Sequence, residues 1–480
     1  MNQSAQTSSS SLNIAVAGAT GFIGQALPSV LADKHRLIGL TRHQRDADAG
    51  YSEFRETNLF SLSETEKGLS GADCAIYLVH SMMPSARLVQ GHFSNLDLMC
   101  ADNFARAAAS QGVKHIIYIG GLLPQIPEDQ LSSHLMSRLE VERALATTSV
   151  PVTTLRAGLI IGQSGSSYQL LARLVNRLPL MVCPSWTRTK MQPIGIDDML
   201  RAIQIIVDRE PTKTQTFDVA CQEEIDYLKL MKKTSTALGL RRRFMTVPFL
   251  SPQLSRLWVS LTTGAPKPLV APLIESLTHE MTARETHRFQ DQGFQAESVM
   301  QALERAKAQP VPADREPRAF QPSVKTAQQA RVHSVQRMTL PKTKNAHWAQ
   351  EEYLRWLQKN FWGGIKVNVS EDDQSVRFMA AGMSKPLLIF TRNKERSFPD
   401  RAVLQITGGL LCHYNPAARL EFRSVLDSKT LLVAIHDFVP SLPWWLYRVT
   451  QAKAHLIVME GFRRHLERVC HDAEHQLGDS

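Results

Sequence analysis

The chain has 480 residues, 43% hydrophobic and 21% charged, with a formal net charge of +10. That is too long for one compact core and ordinary for a globular protein, so two or three domains are expected. No run of eighteen uncharged apolar residues occurs, which excludes a membrane-spanning helix of the usual kind, and the six cysteines (Cys74, Cys100, Cys183, Cys221, Cys412, Cys470) form no C-x-x-C pair, which argues against a disulfide framework or a zinc site.

Residues 1–11 are polar and serine-rich, without the basic start and apolar block of a signal peptide, and read as a disordered tail on a cytoplasmic protein. The apolar run Leu12-Asn-Ile-Ala-Val-Ala17 predicts a strand, and Gly18-Ala-Thr20-Gly21-Phe22-Ile23-Gly24 follows it as a glycine turn opening a helix over Phe22 to Asp33. Strand, turn and helix N-terminus in that order make an anion site of backbone N–H groups. Gly18 permits the tight turn, Gly21 the approach of a pyrophosphate, and Gly24 close packing of helix on strand, so the ligand expected is a dinucleotide. Pro28 falls inside the helix and should kink or break it. Further strands are predicted at Arg36–Thr41, Cys74–Val79, Lys114–Ile119 and Val152–Arg156, with helices over Ala86–Gln111 and Leu131–Thr147 and turns at Gly71–Asp73 and Gln111–Gly112. Strands alternating with helices predict a parallel sheet with right-handed crossovers. From 165 to 306 the texture is helical, with an extended piece at Met191–Ile196, and this region is expected to cap the carboxyl edge of the sheet.

Residues 307–345 hold eight Lys/Arg, two acids and five prolines, the composition of a solvated linker; no nucleic-acid-binding signature accompanies them. Residues 346–480 form the last domain. A helical pattern at Tyr353–Leu357 precedes strands at Ile365–Val369, Ser375–Ala380, Leu387–Thr391, Val403–Ile406, Leu410–Tyr414, Arg419–Val425 and Thr430–Phe438. Alternation such as Arg419-Leu-Glu-Phe-Arg423 predicts an antiparallel sheet with one covered face. A long amphipathic helix closes the chain, with Ser441 as N-cap and Pro443 in its first turn. Its stripe through Trp445, Val449, Ala452, Leu456, Met459, Leu466 and Cys470 either meets a membrane surface peripherally or covers the sheet; the preceding strands favour the cover. His413, His436 and His455 stand among apolar neighbours and read as core residues, as do Trp444, Trp445 and Tyr447, with the lining of a ligand cavity as the alternative; no metal cluster is visible.

With this pattern in place, about the first 300 residues resemble the extended and atypical short-chain dehydrogenase/reductases, nearest the NmrA-like NAD(P)H-binding branch. Tyr77-Leu-Val-His80-Ser-Met82, Ile117-Tyr-Ile-Gly-Gly121 and Leu155-Arg-Ala-Gly-Leu-Ile-Ile-Gly162 look like that family's strand ends. The last domain is similar to a domain of unknown function, through Gly408-Gly409, Arg419-Leu-Glu-Phe422, Ala434-Ile-His-Asp437 and Leu442-Pro-Trp-Trp445. The fold class expected is therefore α/β, a Rossmann-type doubly wound parallel sheet at 12–306, followed by a smaller α+β domain with an antiparallel sheet and a C-terminal helix.

Where an acid would bind the ribose of NAD, the chain has Thr41 and Arg42, with Arg45 near. A guanidinium there fits a 2′-phosphate, so NADP(H) is expected over NAD(H). The resemblance further implies that Asn58 and Leu59 flank the adenine, with Asn58 in place of the usual acid, and that His80 and Ser81 lie beside the cofactor. It also implies a catalytic Ser with Tyr-x-x-x-Lys. Here His134 stands at the tyrosine, Arg138 at the lysine and Gly120-Gly121 at the serine. Histidine can carry a proton near neutral pH; arginine can hold a ribose but does not give up its proton. Two readings stay open: an NADPH-dependent oxidoreductase on a small organic substrate, with His134 and Arg138 as the altered catalytic pair, and a non-catalytic NADP(H)-sensing or assembly protein whose last domain binds a partner or an apolar ligand.

Overall fold

The computed structural model describes residues 11–47, 50–80, 88–247, 278–290, 294–309, 331–360, 364–426 and 428–478. The chain divides into two compact units. One comprises Met1–Met82 with Cys100–Ser323, the other Met83–Met99 with Val324–Ser480.

The first unit is built on seven parallel strands in the spatial order Gln215–Val219, Val152–Ala157, His115–Gly121, Cys74–Tyr77, Asn13–Ala17, Arg36–Thr41, Glu53–Glu56. The first strand therefore has its successor on one side and the fourth strand on the other, and a crevice opens where the order reverses, at the carboxyl ends. The central strands are near-continuous apolar runs because both faces are covered. Pro28 breaks the first helix as its missing N–H demands: Phe22–Ala26 ends there, and Pro28–Leu31 resumes with Leu31 N–H on the Leu27 carbonyl. Helix Ser133–Leu145 is capped by the Ser132 hydroxyl, which accepts from Leu135 N–H.

The second unit carries an eight-stranded sheet. Strands Ile365–Val369, Ser375–Ala380, Leu388–Arg392, Arg401–Gly408, Arg419–Val425, Thr430–Phe438 and Val332–Thr339 are antiparallel in that order, and Leu88–Gln90 adds a parallel edge to the last. Helices Ala346–Asn360 and Gln451–Gly478 cover it, with Tyr353, Trp356, Phe422 and Phe462 in the core. Several expectations are corrected here. The helix predicted over Ala86–Gln111 is Phe93–Ser110, because Leu88–Gln90 pairs as a strand and Gly91 (φ +154°) turns the chain. Residues 332–339, assigned to the linker, are a strand whose Val332, Val335 and Met338 are buried despite the basic residues around them. Leu410–Tyr414 is no strand: Gly409 (φ +127°) turns the chain and only a Cys412–Pro440 bridge remains. The terminal helix begins at Trp444 with Pro443 as its cap, because the Ser441 hydroxyl donates instead to the Leu410 carbonyl (2.6 Å). It breaks at Thr450, whose hydroxyl bonds back to the Leu446 carbonyl (2.6 Å). Trp445 is 70% exposed rather than core, whereas Tyr447 is buried against Trp444.

The polar face of Arg419-Leu-Glu-Phe-Arg423 is buried as thoroughly as the apolar one. Glu421 accepts both forks of Arg401 (3.0 Å each), Arg419 Nε (3.2 Å) and Arg423 Nε (2.7 Å), and His436 is the register partner of Arg419. His436 is thus part of a charge cluster and is not surrounded by apolar groups. His413 is exposed, and His455 Nε2 pairs with the Ser334 hydroxyl (3.0 Å).

Among the described residues no helix is long and apolar enough to cross a membrane. Two histidines make the fold acid-sensitive. Burial pushes His115, paired with Thr153 Oγ1 at 2.9 Å, and His455 down to about 4. Both stay neutral when folded and take a proton on unfolding at mildly acid pH. Stability is full above the unfolded value near 6.5 and falls as pH drops towards about 4, by on the order of 3 kcal/mol for each. Urea titrations at pH 7.5, 6 and 5 check this; an unchanged midpoint in His115→Gln and wild type alike would contradict it.

Candidate active site

The Gly18–Gly24 turn sits at the mouth of the crevice. Gly18 has φ +89°, and a Cβ on it would meet Leu78 Cβ at 3.1 Å. Gly21 N–H donates to the Gly18 carbonyl (2.9 Å), and Thr20 and Gly21 are exposed, so the turn presents main chain outward. A Cβ on Gly24 would stand 2.3 Å from the Gly18 oxygen, so helix and turn touch backbone to backbone. The Phe22 ring fills the space beside Gly162 and Gly165, pinning the helix start to the opposite side of the crevice. Arg36–Thr41 runs alongside; Gly39 faces Ala19, the Thr41 hydroxyl donates to the His43 carbonyl (2.8 Å), and Arg42 is exposed just beyond. Arg45 lies over the Phe54 ring at 5.5 Å. Exposed main chain at Thr20 and Gly21 and the lack of side chains at Gly18, Gly21 and Gly24 are what a dinucleotide's pyrophosphate would require here.

Ile23, the strand-end residues Leu78, His80 and Ile119–Gly121, and the helix residues His134, Leu135 and Arg138 wall one side of a cavity of about 350 Å³. At its base His80 Nε2 and His134 Nδ1 are 3.2 Å apart, with ring centroids at 4.9 Å. The pair requires one imidazole to donate and the other to accept. Arg138 lines the cavity but donates through Nη2 to the Ile119 carbonyl (2.6 Å) and lies 5.5 Å over the Tyr118 ring. It therefore buttresses the end of the His115–Gly121 strand. Tyr118 itself is turned into the sheet, near Tyr77. The helix that carries His134 is locked to the next strand by a bidentate Arg156–Glu142 pair (2.9 and 2.8 Å), to which the Thr216 hydroxyl adds (3.0 Å). Asn58 and Leu59 are used locally: Asn58 Oδ1 accepts from Phe60 N–H, and the Leu59 carbonyl accepts from Asn103. Neither lines the cavity. Ser81 lies outside the described residues.

Most of the remaining lining comes from the capping region expected after residue 165, whose individual residues sequence reasoning did not single out. Helix Ser166–Arg177 turns Ser167, Leu170, Leu171 and Leu174 to the cavity, and helix Tyr227–Ala237 turns Tyr227, Leu230 and Met231. Both sets follow one helical face. Trp186, edge-on to Tyr227 at 6.4 Å, and Met281 complete it. Burial pushes the Tyr227 phenol up, so it stays protonated.

Residues 14–220 match the NAD dependent epimerase/dehydratase family. That match covers less than half of the chain and falls within the first unit, whose Rossmann-type sheet and glycine turn resemble the NAD(P)-binding domain of the extended short-chain dehydrogenase/reductases. The auxiliary protein GraX of Staphylococcus aureus (strain NCTC 8325 / PS 47) is 29% identical to this chain over 110 residues, 22% of the chain; the match spans 36% of that relative. Among solved structures, Citrobacter sp. triphenylmethane reductase is 18% identical with TM-score 0.48, covering 62% of this chain and all of that one. Escherichia coli NADPH-dependent quinone oxidoreductase is 17% identical with TM-score 0.46, covering 60% and 98%. The seven-stranded parallel sheet and the glycine turn fall almost wholly within residues 14–220, while the cavity's cap lies partly beyond them.

Proposed function

We propose that the chain is an NADPH-dependent oxidoreductase acting on a small organic substrate. One observation carries the reading: the glycine turn and the His80–His134 pair border the same crevice, joined through Ile23 and Leu78. Main-chain amides of residues 18–24 would hold the pyrophosphate, and the Arg42 guanidinium the 2′-phosphate. When bound, the reduced nicotinamide supplies a hydride. His134 gives or takes the accompanying proton in place of the usual tyrosine, and Arg138 keeps the strand end rigid beneath it. Cys74, Cys183, Cys221 and Cys412 are buried thiols, in keeping with a reducing compartment such as the cytoplasm.

The test is a titration of wild type and Arg42→Ala with NADPH and NADH, followed by fluorescence. A charge-assisted hydrogen bond contributes about 1.5–3 kcal/mol, so wild type should favour NADPH about tenfold to a hundredfold and Arg42→Ala should lose that margin. Absence of binding by either coenzyme would end the reading. A second reading, a coenzyme-sensing protein without turnover, draws on the exposed apolar groups of the second unit, where Trp445 and Val449 stand one helical turn apart. A partner captured with one redox form of the coenzyme and released by the other would favour it.

A further inference from the structure

We infer that the cavity's substrate is a lipophilic carbonyl compound, its chain held by the capping helices and its oxygen directed to the His80–His134 pair; this rests on the oxidoreductase reading. Leu170, Leu171 and Leu174 are half-buried and line the cavity, while Leu171 and Leu174 also pack against the apolar clusters beneath them. Leu230, Met231 and Met281 oppose them, and methionine adapts to varied apolar shapes. A lining made mostly of apolar side chains around about 350 Å³ gives a substrate for which removal from water is the main source of affinity. The polar groups are few: His80, His134 and Arg138 at the strand ends and the helix beside them, and three more in the capping region. Ser167, Thr187 and Tyr227 belong to the cap, and Thr187 already donates to the Pro184 carbonyl (2.7 Å). The histidine pair belongs to the sheet edge, beside the strand ends that border the coenzyme crevice. A molecule matched to this distribution has a long apolar body and one polar terminus.

The reaction balances simply. The carbonyl carbon would gain the hydride of the reduced nicotinamide, the C–O π pair would move to oxygen, and oxygen would take a proton from His134 in its imidazolium form, which returns to neutral imidazole and is reprotonated from solvent. The product is an alcohol and the oxidised coenzyme. His80 is a positioning residue: its ring nitrogen fixes which nitrogen of His134 carries the proton.

The experiment titrates the protein, loaded with the oxidised coenzyme so that no reduction occurs, calorimetrically with straight-chain methyl ketones from butanone upward. Affinity should rise about fourfold for each added methylene until the cavity is filled. Leu174→Gln, at the cavity wall, should flatten that slope while leaving coenzyme affinity intact; Leu171→Gln serves if the first fails to fold. His134→Gln should remove the preference for a ketone over the alkane of equal length. His80→Gln should leave ketone affinity within about threefold, about 0.65 kcal/mol, while shifting the pH at which the His134 imidazole proton signal titrates. Tyr227→Phe should alter neither. A slope indifferent to chain length, or a ketone preference that follows Tyr227 instead of His134, overturns the inference. Failure to bind coenzyme overturns the oxidoreductase reading instead, so the two failures are distinguishable.

Discussion

Gly24→Ala is expected to weaken NADPH binding about tenfold to a hundredfold. The added Cβ would lie 2.3 Å from the Gly18 oxygen and 2.7 Å from both the Cα and the oxygen of Ala19, all backbone atoms that no rotamer change can move aside. The helix start must back away from the turn. Forced overpacking of this kind typically costs about 1–3 kcal/mol, and the main-chain donors move with it, which converts to that loss of affinity. Fluorescence titration gives the affinity. Urea unfolding followed by hydrogen exchange in the second unit gives the control, since nothing there should change. An affinity within twofold of wild type would mean that the turn does not grip the coenzyme.

Glu421→Gln should destabilise the second unit by about 3–5 kcal/mol, the range found when one member of a buried ion cluster is removed. Glu421 is wholly buried, and burial alone would raise its pKa; the guanidiniums of Arg423 and Arg401, with His436 and Arg419, hold it well below the carboxylate range. Its carboxylate is the shared acceptor of three arginines, and glutamine keeps the shape while removing the charge. Because the folded value is depressed, this contribution is present above the unfolded carboxylate value of about 4.3 and is lost only as pH falls through the folded one. The variant should therefore lose stability at neutral pH and show a shallower further loss in acid. Hydrogen exchange in strands Arg419–Val425 and Arg401–Gly408 reports it. A loss under about 1 kcal/mol would mean that the cluster is replaceable by neutral hydrogen bonds.

What the sequence made legible was local. The glycine turn, the apolar runs of the parallel sheet and the break at Pro28 each depend on a few adjacent residues, and each is found as read. The strand Val332–Thr339 was hidden because its pairing partners are Leu88–Gln90 and Thr430–Phe438, each about ninety or more residues away or far back along the chain, while its own composition looks like linker. Alternation in Arg419–Arg423 correctly marked a strand and wrongly implied a wet face, since only tertiary packing brings Arg401 and His436 to enclose Glu421. At the site, His134 was conspicuous as the residue in the tyrosine's place, but its partner His80 lies fifty-four positions earlier. The stretch from 165 to 306 was legible only as helical and as a cap on the sheet's carboxyl edge; which face of Ser166–Arg177 lines a cavity depends on tertiary packing.

The excursion of residues 83–99 means that no single scission parts the two units. A chain ending at Ser323 keeps Leu88–Gln90 but has lost Val332–Thr339, and three residues do not hold a strand by themselves. A fragment starting at Val324 keeps the sheet but loses the hydrogen bond from Gln90 to the Ala452 carbonyl and the strand that shields its border. Val332–Thr339 then offers an open row of N–H and C=O groups to any neighbouring copy, so such a fragment should self-associate through that border.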